Sequence, residues 1–228
     1  MGLHRMAPRA WAAAMALIIA GSARAGKSAD DTAYVEYLDK FRSGVILTEL
    51  EKAGRSKAEA GTRLRELFAR TSHYRPYADP SEPIAKNASK LRRDGKCAEA
   101  IIEAEKALDM NYTSLLAHYV AGNCAVSIGH PRKEEWIRSF ALFLGAIIKP
   151  PERDGKSPKS AFKVLSVNEE YVLMGVLGVK HGNQSLLAEG GISADCFDVR
   201  DPKPNEGKQV CFDVSLPMGQ LNRELGGR

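Results

Sequence analysis

Hydrophobic positions along this chain recur at a helical period up to about residue 150 and then change character. Between Asp30 and Phe41, the residues Tyr34, Leu38 and Phe41 return at helical spacing, and Val45 extends the same face. Gly44 and then Gly54-Arg55-Ser56 interrupt that pattern. Ser56 is placed to cap a second helix, with Glu59 three residues on to complete a capping box. That helix runs to about Arg70 and buries Leu64, Leu67 and Phe68. Tyr74-Arg75-Pro76-Tyr77-Ala78-Asp79-Pro80 reads as a proline-broken connection.

From Ser81 the pattern repeats. Ala88, Gly95, Ala107 and Leu108 return as Gly122, Gly129, Ala141 and Leu142, each 34 positions later. That is the period of a tetratricopeptide-type helix pair. Small residues at Ala88 and Gly122 allow two helices to approach closely. Gly95 and Gly129 fall in the tight turns, and Ala107-Leu108 and Ala141-Leu142 fill the next layer. The match is imperfect, since Cys97 and Pro131 replace the usual aromatic position and Glu134 stands where the first copy has Ala100. Two repeats seldom bury enough surface alone, so the flanking segments are expected to cap the stack.

The run from Pro150 to Pro158 ends the helices. Phe162 to Leu165 reads as a strand, and Asn168 is placed to cap a helix from Glu169 to about Leu177. Gln184 to Leu187 is a second strand. Cys196-Phe197-Asp198-Val199 and Cys211-Phe212-Asp213-Val214 form a hairpin around the turn-rich Asp201–Gly207 segment. Met218 to Leu225 is a terminal helix ended by Gly226. The expected class is α+β: a tetratricopeptide-like helical stack over 26–149, then a small β-α-β-β-β-α module over 150–228.

The first 25 residues change the picture of where the chain works. Arg5 and Arg9 precede an apolar run from Ala10 to Ala20, and Ala23-Arg24-Ala25 supplies small residues for cleavage before Gly26. This is the order of a secretory signal, with the run too short for a membrane span. No cysteine for a lipid anchor and no twin arginine accompany it. The expected location is periplasmic or secreted. Without Arg5, Arg9 and Arg24, the chain keeps 30 basic residues against 28 acidic ones. That balance is no polyanion signature, and nucleic acid is not an expected partner. The basic cluster Lys90, Arg92, Arg93 and Lys96 reads as a solvated helix end.

Four cysteines in an exported chain suggest two disulfides. In one hairpin register Cys196 faces Cys211, and Phe197, Val199, Val210, Phe212 and Val214 share the opposite, apolar face. Cys97 and Cys124 lie at nearly equal distances either side of the Asp109–Tyr112 turn, so antiparallel helices bring them level. Free buried thiols are the alternative. A zinc site lacks the required close cysteine spacing.

Chemical motifs are sparse. Asp154-Gly155-Lys156-Ser157 lacks the earlier glycine of a phosphate loop, Pro150 holding that position, and reads as a turn in which Asp154 and Ser157 bond nearby backbone. Glu169-Glu170-Tyr171 sets two carboxylates in a first helical turn. The helix dipole accounts for them, and acid–base work is the alternative. His118, beside Tyr119, reads as a packed or partner-facing histidine. Tyr74 and Tyr77 read as packing residues that can also anchor an interface. No metal motif, nucleophile elbow or cofactor loop is visible, so neither a cofactor nor a metal is expected.

The chain resembles a family of uncharacterised exported bacterial proteins grouped as a domain of unknown function. The resemblance rests on Leu64-Arg65, Tyr74-Arg75-Pro76-Tyr77, Asp154-Gly155-Lys156-Ser157, Ala161-Phe162, Val167 and Glu169-Glu170-Tyr171. Gly178, Gln184-Ser185 and Phe212-Asp213 continue it. It implies an envelope-exported protein and carries no activity; the cysteines seat themselves outside its pattern. The leading functional expectation is a non-catalytic periplasmic module that binds a protein or peptide, such as an immunity or accessory factor for a secreted toxin or envelope complex. The candidate interaction residues are Tyr74, Tyr77, His118, Tyr119, Asp154, Lys156, Glu169, Glu170 and Tyr171. The alternative is an envelope hydrolase with its site at the junction of the helical and α/β parts.

Overall fold

The structure, a computed structural model, describes residues 28–200 and 208–226. The leader, its Ala25–Gly26 junction and the Asp201–Gly207 turn lie outside the described residues. Three helices open the fold: α1 (Ala29–Arg42), α2 (Val45–Lys52) and α3 (Ala58–Phe68). Ser28 caps α1 through a capping box with Asp31. The Asp31 carboxylate also accepts from the Ser72 amide at 2.9 Å, tying α1 to the loop after α3. That loop, from residue 69 to residue 80, contains no helix, as its prolines dictate.

Four antiparallel helices follow: α4 (Ser81–Arg93), α5 (Cys97–Met110), α6 (Leu115–Ile128) and α7 (Lys133–Ile148). Each packs on the next, α4 also packs on α6, and α7 folds back onto α3. The turns inside the two hairpins need positive φ, and Gly95 (φ +76°) and Gly129 (φ +67°) supply it. Ala85 and Ala88 of α4 and Ala121 and Ala125 of α6 are fully or almost fully buried, which is what lets α4 and α6 lie side by side. The Cys97–Cys124 disulfide joins the start of α5 to the last turns of α6.

The rest of the chain is β1 (Phe162–Lys163), α8 (Val167–Leu177), β2 (His181–Glu189), β3 (Ile192–Val199), β4 (Gln209–Asp213) and α9 (Ser215–Gly226). The sheet order is β1-β4-β3-β2, with β1 parallel to β4 and the other pairs antiparallel. Cys196 pairs directly with Cys211, and the two are disulfide-bonded. Alternation then turns Phe197, Val210, Phe212 and Val214 toward the helices, while Ala194, Cys196 and Cys211 pack with Ala161 on the other face. One continuous apolar core runs from Tyr34 and Phe41 through Trp136 and Phe143 to Phe197 and Phe212. The class is α+β, helical in its N-terminal part and with its strands in the C-terminal part.

Several local expectations are corrected. Val45 begins a separate helix and is exposed, because Gly44 turns the chain there. Ser56 lies one residue before the cap position of α3, although its amide still bonds Glu59 and its hydroxyl accepts from Ala58. Ala141 is exposed and fills no layer; Leu142 alone turns inward. The first strand ends at Lys163, because Leu165 gives its amide to Glu169 instead of to a ladder. The cap of α8 is Ser166 in place of Asn168.

Candidate functional site

Helix α8 is the hinge of the molecule's chemistry. One side of it faces α4 and α6, the other faces the sheet, and its first turn carries two adjacent carboxylates with opposite surroundings. Glu169 points toward α3. Arg65 grips it with both guanidinium nitrogens, one bond being 3.0 Å, and also donates to the Lys163 carbonyl at 3.1 Å. The Leu165 amide donates to the same carboxylate at 2.7 Å. Both side chains of this pair are almost wholly buried. Tyr74 donates its hydroxyl to the Leu165 carbonyl at 2.9 Å, and burial pushes its phenol up, the Glu169 charge adding to the effect.

Glu170 is fully buried, and neither of its oxygens has a hydrogen-bond partner among the described residues. Burial, then the charges of Asp195 and Glu169, push its pKa up to about 9, so it is a neutral acid at pH 7. Asp195 sits on β3 among residues of the core-facing side; burial raises its pKa, while a hydrogen bond from Gln184 opposes the rise. The half-exposed Tyr77 phenol feels both carboxylates. Glu170, Asp195 and Tyr77, from the first turn of α8, strand β3 and the loop before α4, thus lie close enough for their charges to act on one another.

On the other side of α8 lies an open groove. Its walls are Lys86, Ser89, Arg92 and Arg93 of α4, Leu116 and Tyr119 of α6, and Tyr171, Val172, Gly175 and Val176 of α8. The Arg92 guanidinium lies 5.2 Å from the centre of the Tyr119 ring. Tyr171 and Val176 are exposed there. The Tyr171 ring also meets His181 and Phe197 edge-on, at 5.7 and 5.9 Å. It therefore links groove to sheet.

The sequence-derived candidates divide accordingly. Tyr119 and Tyr171 line the groove, and Tyr77 flanks the Glu170–Asp195 pair. Tyr74 and His118 are buried and offer no partner a surface. His118 bonds the Tyr112 carbonyl at 2.8 Å, packs against Tyr112 and Phe143, and is pushed down to about 4 by burial. Glu169 and Glu170 are likewise buried, so the dipole is only part of what holds them. Asp154 and Lys156 lie elsewhere, in an exposed turn. There Asp154 accepts from the Lys156 amide at 3.0 Å and from the Ser160 hydroxyl at 2.6 Å. That turn has a packing role. Gly155 has φ +71° and lies against the Phe162 ring, where a Cβ would fall 2.2 Å from a ring carbon. The Gly155 carbonyl accepts from the Cys211 amide at 2.7 Å.

Among the charged and polar groups of the site, Arg65, Arg92, Gln184 and Asp195 are not among the candidate interaction residues, although Arg65 and Gln184 belong to the family resemblance. Two carried a signal. Arg65 stands among Leu64, Leu67 and Phe68, and Asp195 shares strand parity with Phe197 and Val199. In each case a charge occupies a face that the pattern assigns to the core. Arg92 was hidden in a basic run.

These features define an α+β protein with a helical array, a disulfide-stapled sheet and a groove where they meet. Residues 66–223 match the family described as Domain of unknown function (DUF4919), and the chain belongs to that family. No curated protein and no solved structure matches it. Two disulfides, together with no helix among the described residues long and apolar enough to cross a membrane, are compatible with a secreted or periplasmic protein.

Proposed function

We propose that the protein is an exported, non-catalytic interaction module that takes a peptide segment of a partner protein into the groove between α4, α6 and α8. The carrying observation is the groove itself, with exposed Tyr171 and Val176 facing half-buried Tyr119 and Leu116 across an open channel. Aromatic side chains in such a channel supply large contact area at small entropic cost. The α4–α7 helices, read as tetratricopeptide-like, give it one rigid wall and α8 the other. A periplasmic accessory or immunity factor is a concrete form of this role. The test is peptide display on the intact protein, followed by amide chemical-shift mapping of an enriched peptide. Shifts confined to α4, α6 and α8, with binding weakened about tenfold by Tyr171→Ala, are the expected result. Shifts elsewhere, or no enriched peptide, overturn the reading.

One observation favours a second reading, an envelope hydrolase with its site at the junction. Glu170 is a buried, proton-holding acid whose pKa the Asp195 charge helps to raise, and a carboxyl group kept protonated near neutral pH is a means of general acid catalysis. Chromogenic ester, phosphate, glycoside and peptide substrates test it. A turnover abolished by Glu170→Gln in a variant that is still folded supports it, and the absence of turnover in all four classes removes it.

A further inference from the structure

We infer that the groove is built for an acidic peptide segment, one that presents carboxylates to Arg92 and Arg93 and apolar side chains to α6 and α8. This inference rests on the groove reading above and goes beyond it by fixing the chemistry of the occupant. The groove's walls contain three cations and no carboxylate. Helix α6 carries no acidic residue at all, and the two acids of α8 are turned away into the core. Lys86 is paired with Glu82 one turn earlier on α4. Arg92 and Arg93 have no carboxylate partner among the described residues; Arg93 donates to the Ser89 hydroxyl at 3.0 Å.

The helix dipole favours cations in the last turn of α4, so their presence alone would need no ligand. The setting of Arg92 is what the dipole leaves unexplained. Its guanidinium is laid on the Tyr119 ring in the channel wall, and its Nε is buried without an acceptor. A guanidinium has five donors in a fixed fork that matches a carboxylate. Stacking on an aromatic ring holds that fork in place, so less freedom is lost when a carboxylate arrives. Two unpaired arginines are too few for a phosphate backbone, which needs a stripe of cations. They suffice for two acidic side chains. Leu116, Val172 and Val176 beside them call for apolar residues interleaved with the acids.

Three rhodamine-labelled decapeptides of alternating Glu and Leu, Gln and Leu, or Lys and Leu test this with the intact disulfide-bonded protein, by fluorescence anisotropy at about 50 mM salt. The Glu peptide is expected to bind at least tenfold tighter than the Gln peptide, with the Lys peptide weakest. The advantage should shrink as salt rises, since Arg93 is exposed and Arg92 half-exposed. The Arg92→Ala/Arg93→Ala double variant should erase it, and Arg92→Lys/Arg93→Lys should restore part of it. Thermal unfolding of each variant separates lost binding from lost fold, because Arg92 also packs through its stem. Equal binding of the Glu and Gln peptides, both weakened by Tyr171→Ala, overturns the acidic preference while leaving the groove reading intact. No binding of any peptide, with none enriched by display either, overturns both.

Discussion

Glu169 and Glu170 are neighbours in one helical turn, yet one is paired with an arginine and the other is held as a neutral acid. Glu169 looks toward the helices, where Arg65 and the Leu165 amide supply donors for both of its oxygens. Glu170 is raised by burial and by the charge of Asp195 on the sheet, and no donor among the described residues reaches it. The difference shows that proximity to a helix N-terminus does not by itself set the charge of a buried carboxyl group. The dipole is the same for both; the donors supplied by other elements decide. On the helical side the carboxylate is structural cement between α3, β1 and α8. On the sheet side the carboxyl group costs stability, and an uncompensated cost is what a functional group leaves behind.

The largest expected effect comes from breaking the satisfied side. Arg65→Ala leaves Glu169 buried without its counter-charge and strips a donor from the Lys163 carbonyl. Loss of one partner of a buried ion pair costs about 3–5 kcal/mol. Urea unfolding should show a loss in that range. A loss under about 1 kcal/mol would mean that water reaches Glu169 freely and that the surroundings of the two glutamates differ little.

The second test separates the two sides by their staples. Cys196–Cys211 fixes the strand that carries Asp195, whereas Cys97–Cys124 fixes α5 to α6. Each double Cys→Ala variant should lose about 3 kcal/mol, the usual order for loops of these lengths. Only loss of the sheet staple should also bring the Glu170 pKa down toward the ordinary glutamate range, as water enters. Carbon-13 labelled glutamate read by NMR gives that titration. An equal change in both variants would sink the claim that the sheet side is a separate enclosure.

The third prediction concerns pH. The folded pKa of Glu170 lies at about 9, above its ordinary 4.5. The folded state therefore holds a proton that the unfolded state has lost across that window. Stability contributed by this group is complete below pH 4.5 and declines as pH rises to about 9, by roughly 1.4 kcal/mol per unit. At pH 7 the accumulated penalty is on the order of 3 kcal/mol. Glu170→Gln cannot ionise, so it should flatten this slope and be relatively more stable at pH 8 than at pH 5. Parallel stability–pH curves for the two proteins would refute the assignment.

Much of the frame was legible in the sequence. The 34-residue return of Ala88 and Gly95 as Gly122 and Gly129 marked the two helix pairs. The doubled Cys-Phe-Asp-Val marked the paired strands and their apolar face, because both signals are local periods. The site was less legible. Its parts come from segments far apart in sequence: residue 65 meets 169, residue 92 meets 119, and residues 77, 170 and 195 meet each other. A helical period says which face is buried but not what another element places against it. The misjudged residues follow from that. Glu170 read as a dipole partner because nothing local reveals that Asp195 of β3 acts on it, and the choice between a packed and a partner-facing His118 stayed open because its neighbours Tyr112 and Phe143 come from the α5–α6 loop and from α7.

The smallest effect gives the sharpest test of the sheet side. Asp195→Asn removes the neighbouring negative charge but not the burial, so Glu170 should titrate lower than about 9 and still well above 4.5. The stability change at pH 7 should be at most about 1 kcal/mol, since burial is the larger cause and remains. The reverse substitution should behave differently. Burial raises Asp195 and the Gln184 hydrogen bond opposes the rise, with no contribution from a Glu170 charge. Glu170→Gln should therefore leave the Asp195 titration where it was. This asymmetry is the signature of two carboxyl groups that ionise in sequence. If each substitution shifts the other group equally, the order of ionisation is wrong; if neither shifts the other, the two groups do not share an enclosure.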